Sequence, residues 1–157
     1  MADEAPSKIP WYSYLILIGH LIISATLVLL THGSALSLGV RWAITGPFFA
    51  LVLGFGFYDH LAKIDESKID AKPVDRWTIP HTLAGVVFAA WYVPIVYVLM
   101  LVFLWECFEF SVKGFGDKEV VLNRVVDMGV AVGGWLITVA IIMGATHAGF
   151  PLATPVA

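Results

Sequence analysis

A chain of 157 residues that is 59% hydrophobic and only 13% charged, with a mean hydropathy of +0.86, lacks the polar surface a soluble domain of this size presents to water. This composition excludes a disordered protein and a secreted disulfide scaffold; the single Cys107 has no partner for an intramolecular disulfide. With nine Lys+Arg against twelve Asp+Glu there is no basic excess to hold a polyanion, so no nucleic-acid partner is expected and membrane lipids are.

A membrane span needs about 20 apolar residues. The first ten residues hold Asp3 and Glu4 beside Lys8, unlike a basic signal-peptide start, and the apolar run from Trp11 to about residue 31 is expected to be a retained span. A second span is predicted over about 42–58, short and bent if Pro47 lies inside it. Asp59 to Trp77, with alternating acids and lysines, reads as a solvated loop. Ile79 to Val112 would be a helix of about 51 Å if unbroken, too long for one bilayer crossing. Pro94 in Trp91-Tyr92-Val93-Pro94 lacks the N–H of a continuous helix, so a tight hairpin is predicted there. It leaves helices at about 78–91 and 94–112, and a fifth span is predicted over about 127–146.

The cations support five spans rather than four. Five crossings put Lys8, Lys63, Lys68, Lys72, Arg76, Lys113, Lys118 and Arg124 on one side and only Arg41 on the other; four crossings divide the nine five against four. The positive-inside rule then sets the N-terminus in the cytoplasm and the C-terminus outside. Trp11, Trp42, Trp77 and Trp91 fall near the predicted interfaces, where amphipathic rings are expected. The expected fold class is therefore all-α: a single polytopic transmembrane helical bundle of five helices, residues 1–157, integral to a prokaryotic cytoplasmic (inner) membrane.

Ionisable groups inside spans are expensive and mark function. Glu106 and Glu109 stand one helical turn apart on one face, His81 follows Pro80 in the first turns of the third span, and Asp127 opens the fifth with Asn123 four residues earlier. Five crossings bring these residues to the cytoplasmic level, with Asp59, His60 and Asp75 at its border. The polar cluster is thus Asp75, His81, Glu106, Glu109, Asn123 and Asp127. His81, Glu106, Glu109 and Asp127 have the chemistry to ligate a divalent metal, to share protons, or to bind a polar lipid headgroup. The competing account is that the shallow carboxylates snorkel to water and pair with Arg124, Arg76 or Lys113. No HExxH, GxSxG, CxxC or phosphate-binding glycine loop is present, and the sequence does not decide whether the protein is an enzyme. Among the remaining histidines, His20 lies near mid-bilayer and His32 and His147 near the outer ends of spans; no pair is placed for axial haem ligation, and haem is not expected. Gly129 and Gly133 form a small-xxx-small ridge for close helix packing, within the chain or against a partner.

Three segments resemble the VanZ-like integral membrane proteins, especially the YjdF-type branch. Asp75-Arg76-Trp77-Thr78-Ile79-Pro80-His81-Thr82-Leu83-Ala84-Gly85 is similar to its Asp…His…Gly stretch, and Trp105-Glu106-Cys107-Phe108-Glu109 to its Trp-Glu-x-x-Glu segment. Asn123-Arg124-Val125-Val126-Asp127 with Gly133-Gly134 resembles its closing Asp and glycine-rich helix, with Asn123 where a second Asp is usual and Ala131 where Asn is common. The resemblance spans about residues 59–136 and implies a small multi-span membrane protein with no settled reaction; joined to the polar cluster, it leads us to expect a protein that handles an amphiphilic envelope molecule or a metal. The alternative is a non-catalytic accessory subunit of a larger respiratory or oxygenase-type membrane complex, or a homo-oligomer, suggested by small size and the Gly129/Gly133 ridge.

Overall fold

A computed structural model describes residues 10–30, 36–62, 72–112 and 120–149. They form five helices and no strand: α1 (Trp11–Leu30), α2 (Leu38–Ala62), α3 (Thr78–Ala90), α4 (Ile95–Ser111) and α5 (Val121–His147). Lys8, His32, Lys63, Lys68, Lys113, Lys118 and the His60 side chain lie outside the described residues.

Two elements are longer than their apolar runs suggest. Helix α2 takes in Pro47 as an internal residue and extends over 25 residues. Proline removes one backbone donor and disfavours the helical conformation of the residue before it through a clash with that residue's Cβ. That residue is Gly46, which has no Cβ, and the helix passes through. Helix α5 begins at Val121, six residues before the expected start at 127, so Asp127 sits inside the helix instead of opening it. The helix extends past its apolar run because Asn123, Arg124 and Asp127 are compatible with helical backbone; their polarity does not end it.

The hairpin between α3 and α4 forms where Pro94 requires it. Val93 N–H donates to Phe88 O and Tyr92 N–H to Ala89 O, both at 2.9 Å, the paired bonds of a Schellman motif. The left-handed position, normally glycine, is held by Tyr92 at φ 59°. Pro94, extended at φ −60° and ψ 145°, then caps α4, where its missing N–H breaks no helical bond and its carbonyl accepts from Tyr97 and Val98 N–H.

Contacts at the helix ends fix their relative directions. At one end, Ser111 Oγ of α4 lies 2.7 Å from Ser13 Oγ of α1, Arg76 ahead of α3 pairs with Asp59 of α2 at 2.6 Å, and Asn123 of α5 donates to Asp75 at 3.3 Å. At the other end, Trp91 Nε1 donates to Thr45 Oγ1 of α2 at 2.8 Å, the Arg41 guanidinium stacks over the Trp91 ring, and Ile142 packs with Leu36 and Ala90. Successive helices therefore alternate in direction, and α3 and α5 run parallel. Leu27, Trp91, Val93, Val98 and Leu101 form the main apolar core.

The tightest packing joins α3 to α5. A Cβ placed on Gly85 would overlap the Ala131 carbonyl oxygen and come within 2.8 Å of Ala131 C and 2.9 Å of Trp135 N; one on Gly134 would overlap the Thr82 carbonyl oxygen. The backbones touch because both positions are glycine. The predicted ridge is different. A methyl group added at Gly129 or Gly133 would meet no neighbouring atom within 4 Å, so among the described residues the close α3–α5 approach is made by Gly85, Ala131 and Gly134. The i, i+4 spacing identifies small residues, whereas the neighbouring helix decides which are used.

Burial runs contrary to a water-soluble protein. Asp59, Glu106, Asn123 and Asp127 are buried, while Leu53, Val96, Phe103, Ile141 and Met143 are exposed. Helices over Leu38–Asp59 and Val121–His147 are long and apolar enough to cross a membrane; Trp11–Leu27 and Thr78–Ala90 are apolar but shorter.

Candidate functional site

The site lies where α1, α4 and the chain ahead of α3 and α5 share one end of the bundle. Its frame begins with Asp75. Oδ1 accepts from Trp77 N–H at 2.6 Å and Thr78 N–H at 3.2 Å, and Asp75 N–H donates to Thr78 Oγ1 at 3.2 Å. These reciprocal bonds satisfy amides at the start of α3 in the manner of a capping box. Oδ2, on the same carboxylate, accepts from Asn123 Nδ2 and ties the starts of α3 and α5 together. Arg76 meanwhile reaches Asp59, which anchors the start of α3 to the end of α2.

One turn into α3, His81 follows Pro80, whose missing N–H is harmless in the first turn. Close approach at Gly85 and Gly134 holds this part of α3 against α5, and Asp127 Oδ2 lies 3.8 Å from His81 Nε2, with both side chains largely buried. From α4, Glu106 and Glu109 face the imidazole. Ligand atoms of His81, Glu106 and Glu109 all lie within 4.8 Å of one another. An ion about 2.1 Å from each atom holds its ligands at most about 4.2 Å apart, so the group reaches a coordinating arrangement by rotamer shifts below about 1 Å. One imidazole nitrogen and two carboxylates suit Zn, Mn or Fe; the half-buried Cys107 between the two glutamates is not in the group.

The six expected site residues thus divide into three roles. His81, Glu106 and Glu109 converge, and Asp127 borders the imidazole from α5 at 3.8 Å. Asp75 and Asn123 form a separate rung between helix starts. Thr78 is not among the expected residues, although the Asp75-x-x-Thr78 spacing ahead of an apolar helix carries the capping signal. The Ser13–Ser111 contact that closes this end of α1 on α4 has no comparable sequence signal, since lone serines occur throughout apolar helices.

Arg124, on α5, stacks its guanidinium 4.8 Å above the Phe110 ring of α4, beside the glutamate-bearing turn. His147 lies exposed at the far end of α5, remote from the cluster. Comparison of the chain with protein-family models, with curated proteins and with solved structures finds no match.

Proposed function

We propose that the protein is a five-span integral membrane protein of VanZ-like type that holds a divalent metal at its cytoplasmic face through His81, Glu106 and Glu109. The observation that carries the reading is the convergence of these three ligand atoms within 4.8 Å, from two helices, in a chain with few charges to spare. An ion bound there supplies a Lewis acid at the depth of lipid headgroups, suited to gripping the polar head of an amphiphilic envelope molecule. Asp127 sets the imidazole orientation, and the Asp75–Asn123 and Arg76–Asp59 ties fix the ends of the helices that carry the ligands. In this orientation the prokaryotic inner membrane is the host and the end bearing Asp59, Asp75 and Asn123 faces the cytoplasm.

The test is metal analysis of protein purified in mild detergent, after dialysis against Zn, Mn and Fe in turn. About one equivalent of one metal is expected, with affinity falling by about 10-fold or more in His81→Ala and Glu106→Gln. Equal metal content in parent and variants, with unchanged elution profiles, overturns it.

A second reading, an accessory subunit of a larger membrane complex, is favoured by the open Gly129/Gly133 face of α5, which nothing among the described residues covers. A stoichiometric partner retained through lipid-preserving purification would support it, and a monodisperse lone protomer would oppose it.

A further inference from the structure

Four threonines in these helices share a pattern. Thr26, Thr45, Thr82 and Thr146 each donate to the carbonyl four residues back, to Ile22, Arg41, Thr78 and Ile142, all at 2.8 Å. This back-bonding satisfies a hydroxyl without a tertiary partner. Ser24 of α1 departs from it: its Oγ is buried and has no hydrogen-bond partner. One turn earlier on the same face stands His20, whose Nδ1 is likewise buried and unpartnered. The imidazole makes a hydrogen bond to the Leu101 backbone, which assigns the proton to Nε2 and leaves Nδ1 as an acceptor. Trp105 of α4 meets the His20 ring edge to face at 5.8 Å. An acceptor and a hydroxyl therefore lie together in the α1–α4 seam, in a helix otherwise built mostly of apolar side chains, where unsatisfied polar atoms are costly.

We propose that this seam binds the hydroxylated aromatic head of a lipid-soluble molecule, a phenol or hydroquinone. One phenolic oxygen serves both groups, donating its proton to His20 Nδ1 and accepting from the Ser24 hydroxyl. The ring packs beside Trp105, and an apolar tail runs out over Leu21 and Ile22, which are exposed on the outer side of α1. Helix α1 packs chiefly on α4, so admission of the head requires α1 to part from α4 by about 3.5 Å, the thickness of an aromatic ring. The site lies at Leu101 and Trp105, two turns and one turn of α4 before Glu109, and its occupancy does not depend on a metal at the cluster of His81, Glu106 and Glu109.

The test uses the full chain in phosphatidylcholine nanodiscs, titrated with a decyl-substituted hydroquinone and followed by tryptophan fluorescence and calorimetry. Saturable binding is expected, weakened about tenfold by Ser24→Ala and by His20→Leu, which each remove one hydrogen bond, and unchanged by Thr26→Ala. The matching quinone, with no proton for Nδ1, is expected to bind about tenfold more weakly. Equal binding of hydroquinone, decanol and a sterol, or equal affinity in the Ser24→Ala and Thr26→Ala proteins, overturns the proposal. Should His20→Leu fail to fold, the comparison of Ser24→Ala with Thr26→Ala decides alone.

Discussion

Replacing Gly85 by alanine puts the α3–α5 contact to a direct test. The added methyl meets backbone rather than flexible side chain: it overlaps the Ala131 carbonyl oxygen and stands 2.8 Å from Ala131 C. Carbon atoms rest about 3.5 Å apart, so relieving the second contact alone parts the helices by about 0.7 Å. Overpacking of a well-filled contact costs about 1–3 kcal/mol, and with backbone on the receiving side the upper end applies. The gain in helix propensity from Gly to Ala, about 1 kcal/mol, offsets part of it. Gly129→Ala enjoys the same gain with open space around it. The two variants are therefore expected to differ by about 3 kcal/mol, more than about a hundredfold in the unfolding equilibrium at about 1.4 kcal/mol per decade. Reversible SDS unfolding in mixed micelles, followed by far-UV circular dichroism, measures the difference. If Gly85→Ala proves as stable as Gly129→Ala, the backbones of α3 and α5 are not in contact and the placement of His81 beside Asp127 loses its support.

The same unfolding assay checks two further substitutions. Arg76→Met strands the buried Asp59 carboxylate and is expected to destabilise by about 3 kcal/mol, most of it recovered when Asp59→Leu is added; a double variant no better than the single removes the pair from the structural account. Asp75→Ala removes the cap of α3 together with the Asn123 tie and is expected to cost about 1–2 kcal/mol, with Asp75→Asn retaining most of the stability because its amide oxygen still caps. An alanine variant indistinguishable from the parent would show that the frame around His81 does not depend on this carboxylate.

Features that depend on local covalent chemistry are legible in the sequence. Pro94 dictates the break between α3 and α4 whatever surrounds it, and the expected helices at 78–91 and 94–112 match Thr78–Ala90 and Ile95–Ser111 closely. The meeting of His81 with Glu106 and Glu109 is legible indirectly, since the break at Pro94 folds α4 back beside α3 and brings its end to the level of His81. Features that depend on the identity of a neighbour are not. Pro47 looks like a breaker until its preceding residue, Gly46, is considered, and Asp127 looks like a helix start because polarity resembles a boundary. Gly129 and Gly133 have the right spacing for close packing, yet Gly85 and Gly134 make the contact, because only the tertiary arrangement sets which face of α5 meets α3. That Asp127 stands beside the imidazole rather than within the group of His81, Glu106 and Glu109 has the same origin: its side of α5 is determined by the α3 contact.

The parallel run of α3 and α5 has a consequence for biogenesis. Parallel helices cannot form as a hairpin, so α3 emerges from the ribosome well before its main packing partner. With 13 residues it rises about 20 Å, less than the roughly 30 Å of a bilayer's hydrocarbon core, and its burial comes from its neighbours α5 and α2. Until α5 arrives, the turn closed by Tyr92 and Val93 keeps it folded back on α4. His81, Glu106 and Glu109 all belong to that early hairpin, whereas Asn123 and Asp127 come with α5. Assembly is accordingly expected to bring the three converging side chains together first and Asp127 to the imidazole last, when α5 closes over Gly85.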